Sequence, residues 1–321
     1  MRFVSLFAGV GGFDLGLEMA GHECVGQVEI DKHCQQVLAK HWPDVPRHDD
    51  VRTANEWADR VGLVGRTDLV CGGFPCQDVS VAGRRAGLAG ERTGLFWDAL
   101  AFATHIQARW ILLENVPGLL TSNQGRDFGT VLTALADAGY VYNEWRVLDS
   151  QFFGVPQRRR RVFLIAGVAA PDRRPLLVEP EGSVWDPSPL RASGQDVTGT
   201  VEGSARKIVN ALTASGLGGG GPDDNLAQAG HLIAFSHTQG LDIQASEDAF
   251  PTLRVGGGGM SVLVREEQVV RRLTPVECER LQGFPDDWTA GLADTHRYKQ
   301  MGNAVTVNVA HYLGWLLTHD K

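Results

Sequence analysis

Apolar residues in the first half of this chain alternate between two rhythms. Short, nearly continuous apolar runs at 3–7, 24–30, 67–71, 110–115, 141–148 and 162–168 read as buried strands, with a weaker one near 47–51. Between them the apolar positions recur at helical spacing. One helix starts near Gly11 and stops at Gly21, and a second, 32–41, has Asp31 to cap it and Pro43 to end it. A third occupies 95–107, and a fourth runs from about 127 to 138 and stops at Gly139. Strand and helix in alternation imply a mostly parallel sheet with helices on both faces, an α/β fold.

The rhythm breaks after Val168. Residues 171–270 are rich in Pro, Gly, Ser and Asp, with short strand-like pieces at 231–235 and 262–264. Two glycine runs, 218–221 and 256–259, each follow an apolar–threonine stretch and read as a degenerate internal repeat. Trp185, Phe235 and Phe250 supply a modest core, so the region reads as a smaller, irregular second domain and not as a linker. Helical order returns at Thr274-Pro275-Val276-Glu277, a capping box with proline at the first helical position, in a helix ending near Gly283. The last helix, about 305–317, is apolar on most sides, and packing it on the first domain is the simplest way to bury it. The expected domains are 1–170 plus 300–321, and 171–299.

Composition narrows the partners. At 321 residues, 43% hydrophobic and 21% charged, the chain has ordinary soluble composition. It carries no apolar run long enough for a bilayer and no signal-peptide pattern, so a cytoplasmic protein without a membrane partner is expected. Five cysteines without paired short spacing argue against a disulfide framework or a metal site. A net charge of −8 argues weakly against nucleic acid, because the positive residues cluster: Arg158-Arg159-Arg160-Arg161, Arg173-Arg174, Arg84-Arg85 and Arg271-Arg272.

Two loops carry candidate chemistry. Gly73-Phe74-Pro75-Cys76-Gln77 follows the run 68–71, which Gly72 and Gly73 cut off, and Pro75 stiffens the turn that presents Cys76. A thiol at a strand end of an α/β sheet lies where such sheets bind ligands, while a buried structural cysteine is the alternative. The second loop, Phe7-Ala8-Gly9-Val10-Gly11-Gly12-Phe13-Asp14, joins the first strand to the first helix and frees backbone amides at a helix N-terminus. Glu29 ends the second strand at the spacing from which a carboxylate reaches a ribose hydroxyl, and Asp50 is placed to accept from an adenine amino group or to act as an ordinary turn aspartate.

In this order the pieces resemble the DNA (cytosine-5)-methyltransferase family over nearly the whole chain. The resemblance rests on Phe7-Ala8-Gly9 with Gly11-Gly12, Pro75-Cys76-Gln77, Glu114-Asn115-Val116, Gln157-Arg158-Arg159 with Arg161, Arg272-Leu273-Thr274-Pro275 with Leu281-Gln282-Gly283-Phe284-Pro285, and Gly302-Asn303-Ala304-Val305. It implies a Rossmann-like class I S-adenosylmethionine-dependent methyltransferase sheet, with the target-recognition region in the stretch without landmarks. The implied partner is double-stranded DNA, acted on by a monomer without a metal; any cognate restriction endonuclease would act separately. Cys76 would be the nucleophile and Glu114 the acid at the base. Arg161 and Arg159 would hold the base or steady the thiolate loop, and Asn115 would order the backbone around Cys76. S-adenosylmethionine would sit among Phe7, Ala8, Gly9, Gly11, Gly12, Glu29, Ile30, Asp50, Val51, Pro75, Leu95, Asn303 and Val305. Residues 78–93, with glycines among arginines, resemble a lid that closes on DNA.

Three rival readings follow from the same residues. A flavin or nicotinamide oxidoreductase uses the same scaffold but needs neither a presented thiol nor an arginine cluster. A tRNA-directed member of the family would carry a more compact region in place of 171–270. A DNA-binding regulator with a decayed site would not keep Cys76, Glu114 and Arg161 together.

Overall fold

The computed structural model of the protein describes residues 1–75, 94–169, 235–236, 250–251, 262–266 and 269–318, with only the backbone described in the strands from 235 to 272. The elements, in chain order, are β1 (Arg2–Leu6), α1 (Gly12–Met19), β2 (Glu23–Val28), α2 (Lys32–His41), β3 (Arg47–His48), α3 (Ala54–Val61), β4 (Leu69–Gly73) and α4 (Gly94–His105). They continue with β5 (Trp110–Asn115), α5 (Arg126–Asp137), β6 (Tyr142–Asp149), β7 (Gln157–Arg158), β8 (Arg160–Gly167), β9 (Phe235–Ser236), β10 (Phe250–Pro251), β11 (Val262–Glu266) and β12 (Val269–Arg272). Three helices close the chain: α6 (Pro275–Leu281), α7 (Asp294–Asn303) and α8 (Val307–Thr318).

Two compact units divide this order: Met1–Asp149 with Arg160–Gly182 and Ala304–Lys321, and Ser150–Arg159 with Ser183–Asn303. The first holds a sheet in the order β3-β2-β1-β4-β5-β8-β6. Its pairs are parallel from β3 to β5, and β8 runs antiparallel between β5 and β6. The strand order reverses beside β1, so the carboxyl ends of β1 and β4 open the crevice in which such sheets take ligands. In the second unit β7 pairs with β10, and β11 joins β12 and β9 in a small antiparallel sheet.

Apolar period-two faces explain the packing. Val4, Leu6, Val70, Ile111 and Leu113 point to one side and bury Trp57, Phe96, Phe102, Val131 and Leu135 from α3, α4 and α5. On the other side Phe13 of α1 meets Phe163 edge-on, with centroids 6.4 Å apart at 87°. Helix α8 lies against α1, where a Cβ on Gly16 would stand 2.5 Å from the Ala310 Cβ and 2.6 Å from the Val307 carbonyl oxygen. The apolar last helix is thus buried on the first unit, as its pattern predicts. Asp31 caps α2 by accepting from the amides of His33 and Cys34, an arrangement worth about 1 kcal/mol. Thr274 and Glu277 form the expected capping box on α6.

Some elements differ from expectation. Strand β4 does not end at Cys71 but runs through Gly72 and Gly73, because both glycines make room for neighbours on adjoining strands. Helix α3 carries a signal that the strand–helix alternation hides: Ala54, Trp57, Ala58 and Val61 at helical spacing, closed by Gly62 at φ 73. Helix α7 is also additional, since its mostly polar sequence carries no apolar stripe. Trp185, both glycine runs and residues 78–93 lie outside the described residues, as do the side chains of Phe235 and Phe250. Among the described residues no helix is long and apolar enough to cross a membrane.

Candidate active site

The loop after β1 is shaped by backbone that side chains rarely adopt: Phe7 has φ 52, Gly9 φ 56 and Gly11 φ 86. Its glycines are not equivalent. A Cβ on Gly11 would stand 2.5 Å from the Trp42 ring, and one on Gly12 would stand 2.4 Å from the Val305 carbonyl oxygen. Among the described residues, a Cβ on Gly9 would meet nothing nearer than the Phe7 oxygen at 4.0 Å, so this side of the loop is open to them. Val305, expected beside the methyl donor, meets this loop as a backbone seal on Gly12. Ala8 is buried, and its amide donates to the Val28 carbonyl at 3.1 Å.

Below the loop lies a polar knot that motif reading passes over. Asp14 is fully buried and accepts from Ser5 Oγ at 2.9 Å, from Gln27 Nε2 at 2.8 Å and from Cys24 Sγ at 3.4 Å. Arg47 extends it, donating to Gln27 Oε1 at 3.1 Å and to the Trp42 carbonyl at 2.6 Å. Burial raises the Asp14 pKa against the pull of these hydrogen bonds. It also pushes the Cys24 and Cys71 thiols well up, which leaves them inert. The only sequence signal for this knot is a polar residue repeating among the inward positions of β1, β2 and α1.

Glu29 closes the loop from the side. Its two oxygens accept from the Gly9 amide at 2.7 Å and the Asp31 amide at 2.8 Å, and burial raises its pKa while those bonds lower it. Each oxygen keeps a further lone pair for another donor. Ile30 beside it is 66% exposed, a large apolar side chain left facing outward at a strand end. Val51 is buried in the core, and Leu95 packs against the same cluster. Asp50 caps the turn at Val51 and binds Arg52, whose Nη2 lies 2.6 Å from Oδ2, and this pairing lowers the Asp50 pKa. Arg52 is a partner that the sequence alone does not announce.

The second cluster sits at the ends of β4, β5 and β8. Glu114 pairs laterally with Gly73 on β4 and with Phe163 on β8, which makes Arg161 its diagonal neighbour on the same face. The Arg161 Nε lies 2.9 Å from Glu114 Oε1, with the two side chains 17% and 13% exposed. Asn115 points to the opposite face, is buried, and donates to the Phe74 carbonyl at 3.2 Å while accepting from the Val116 amide at 2.8 Å. That pair fixes the backbone next to Pro75, which is half-buried. Cys76 itself lies outside the described residues.

Two expected residues belong to the second unit. Arg159 belongs to the second unit, is 2% exposed, and donates to the Gly302 carbonyl at 3.2 Å. Gln157 and Gln282 make the same kind of bond there, to the carbonyls of Leu281 at 3.0 Å and Met301 at 2.6 Å. These bonds join the arginine run to α6 and α7, a contact between distant sequence motifs. Asn303 is exposed at the end of α7 in this unit.

S-adenosylmethionine fits the groups present in the first unit. Open space at Gly9, the spare acceptor capacity of Glu29 and the exposed Ile30 match backbone approach, a ribose diol and a flat purine.

The model of the C-5 cytosine-specific DNA methylase family matches residues 1–174 and 199–317. Type II methyltransferase M2.BsuMI of Bacillus subtilis (strain 168) is 30% identical over 338 residues, spanning 100% of this chain and 76% of that protein. Type II methyltransferase M.HpaII of Haemophilus parainfluenzae is 32% identical over 321 residues, spanning 95% and 86%. A solved DNA modification methyltransferase encoded within an E. coli prophage shares the fold, with TM-score 0.69 at 21% identity over 99% of this chain and 98% of that one. On the strength of the family match over most of its length, the chain belongs to the C-5 cytosine-specific DNA methylase family.

Proposed function

We propose that the protein transfers a methyl group from S-adenosylmethionine to C5 of a cytosine extruded from a specific site in duplex DNA. The observation that carries this reading is the Glu114–Arg161 pair at the strand ends beside Gly73-Phe74-Pro75, the turn that runs directly into Cys76. Cytosine C5 is a weak nucleophile. The Cys76 thiolate adds to C6, forming an S–C bond, while N3 takes a proton from Glu114, and the ring becomes an enamine with electron density at C5. Arg161 holds the base through O2, and Asn115 keeps the turn before Cys76 in place. S-adenosylmethionine supplies the electrophilic methyl group when bound. The C5 proton then leaves to solvent, N3 returns its proton to Glu114, and the thiolate is expelled, restoring the 5,6 double bond.

Taking the base from the stack costs roughly a few kcal/mol, which contacts from the second unit are suited to offset. The likeness to type II methyltransferases supports methylation of one recognition sequence, with any cognate endonuclease acting as a separate protein. The test is a duplex carrying 5-fluorocytosine, incubated with the protein and S-adenosylmethionine. A covalent protein–DNA band that survives denaturation is expected from the native chain and not from Cys76→Ala. An active preparation that forms no such band overturns the scheme, and methylation of tRNA in preference to duplex DNA overturns the substrate.

A further inference from the structure

Gly72 and Gly73 stand side by side in β4, yet the spaces their missing side chains leave belong to different neighbours. A Cβ on Gly72 would lie 2.5 Å from the Leu6 carbonyl oxygen, which is sheet backbone that cannot retreat. A Cβ on Gly73 would lie 2.8 Å from Glu114 Oε2, and the next two atoms it would meet, at 3.8 and 3.9 Å, are also Glu114. The backbone of Gly73 is ordinary strand and takes other residues without strain. Among the described residues, the space left by its missing side chain is therefore the seat of the Glu114 carboxyl.

We propose that Gly73 is a positioning residue for the reaction: its empty Cβ position sets where the second Glu114 oxygen rests while the first is held by Arg161. The proposal rests on the reading of Glu114 as the acid at the base. The carboxyl is gripped from two sides, by Arg161 at 2.9 Å and by the open strand at Gly73. A methyl group at 73 pushes Oε2 outward by about 0.6 Å to reach the 3.4 Å of ordinary contact. The displaced group is the end of a side chain, so the fold tolerates the change. The alignment of a proton donor does not, since a displacement on the order of 1 Å costs about 10²-fold in rate.

The test is Gly73→Ala, assayed for methyl transfer, S-adenosylmethionine affinity and melting temperature, alone and combined with Glu114→Gln. Turnover should fall by about tenfold or more, with affinity and melting temperature unchanged. In the Glu114→Gln background the same change should cost nothing further, since the two act through one group. Wild-type turnover in Gly73→Ala, or an equal loss in both backgrounds, overturns the positioning role. Should Gly73→Ala lower the melting temperature, it should lower it no further when added to Glu114→Ala, because the clashing oxygen is gone; an equal drop in that background overturns the proposal. The underlying reading fails separately, if Glu114→Gln itself turns over normally.

Discussion

The Val305 carbonyl oxygen lies 2.4 Å from the point where a Cβ on Gly12 would stand, so the segment leading into the last helix seals directly on the first turn of α1. Gly12 and Val305, far apart in sequence, thus meet at the loop where the family resemblance places the methyl donor. Gly12→Ala must move backbone, not a side-chain tip. It should cost about 1–3 kcal/mol in denaturant unfolding and weaken S-adenosylmethionine binding in calorimetric titration. A variant as stable as the parent would show the seal to be loose.

Glu114→Gln keeps the shape of the side chain, removes the acid that the proposed function places at N3, and leaves Arg161 facing a neutral amide. Single-turnover methylation should slow by about 10²–10⁴-fold with donor affinity unchanged. Equal losses in rate and donor affinity would instead mark a structural role.

His22 gives stability a pH dependence. Its Nε2 donates to the Gly314 carbonyl at 2.9 Å, its Nδ1 is buried without a partner, and burial lowers its pKa. The nearby amino terminus lowers it further, and Asp68 opposes with a smaller pull. The unfolded imidazole therefore binds a proton at higher pH than the folded one. The contribution is complete above about pH 6.5 and is lost as pH falls below it. Asp14 and Glu29, with raised pKa values, act in the opposite sense, gaining stability as pH falls. Comparing His22→Gln with the parent cancels those terms: unfolding midpoints from pH 7 to 5 should decline less in the variant.

Asp14 separates shape from charge. Asp14→Ala strips partners from Ser5, Gln27 and Cys24 in a site without solvent, a loss of about 1–3 kcal/mol for each buried group left unmet. Asp14→Asn keeps the volume and removes a charge that burial disfavours, so it should be much the milder change. Melting of the two variants at pH 7 checks the order.

Local signals made much of the fold legible. The strand runs fall on β1, β2, β4, β5, β6 and β8, and Asp31, Thr274 and Glu277 cap the helices that their sequence spacing suggests. Less legible were elements without an apolar stripe, such as α7, and a helix as short as α3. The glycines of β4 were read as a stop, since glycine ends more strands than it continues; only the neighbouring strands reveal why these two do not.

Site residues divide in the same way. Residue type and order singled out Glu29, Glu114, Asn115 and Arg161 as candidates, because strand ends and short motifs are local properties of the chain. Which of them meet was decided in three dimensions: Arg161 found Glu114, Arg159 found the Gly302 carbonyl, and Asp50 found Arg52. The sequence by itself determined the elements and the chemical groups available at their ends. Tertiary structure alone decided the pairings and the empty spaces at Gly12 and Gly73, since sheet register and helix packing, not neighbours along the chain, bring those atoms within reach.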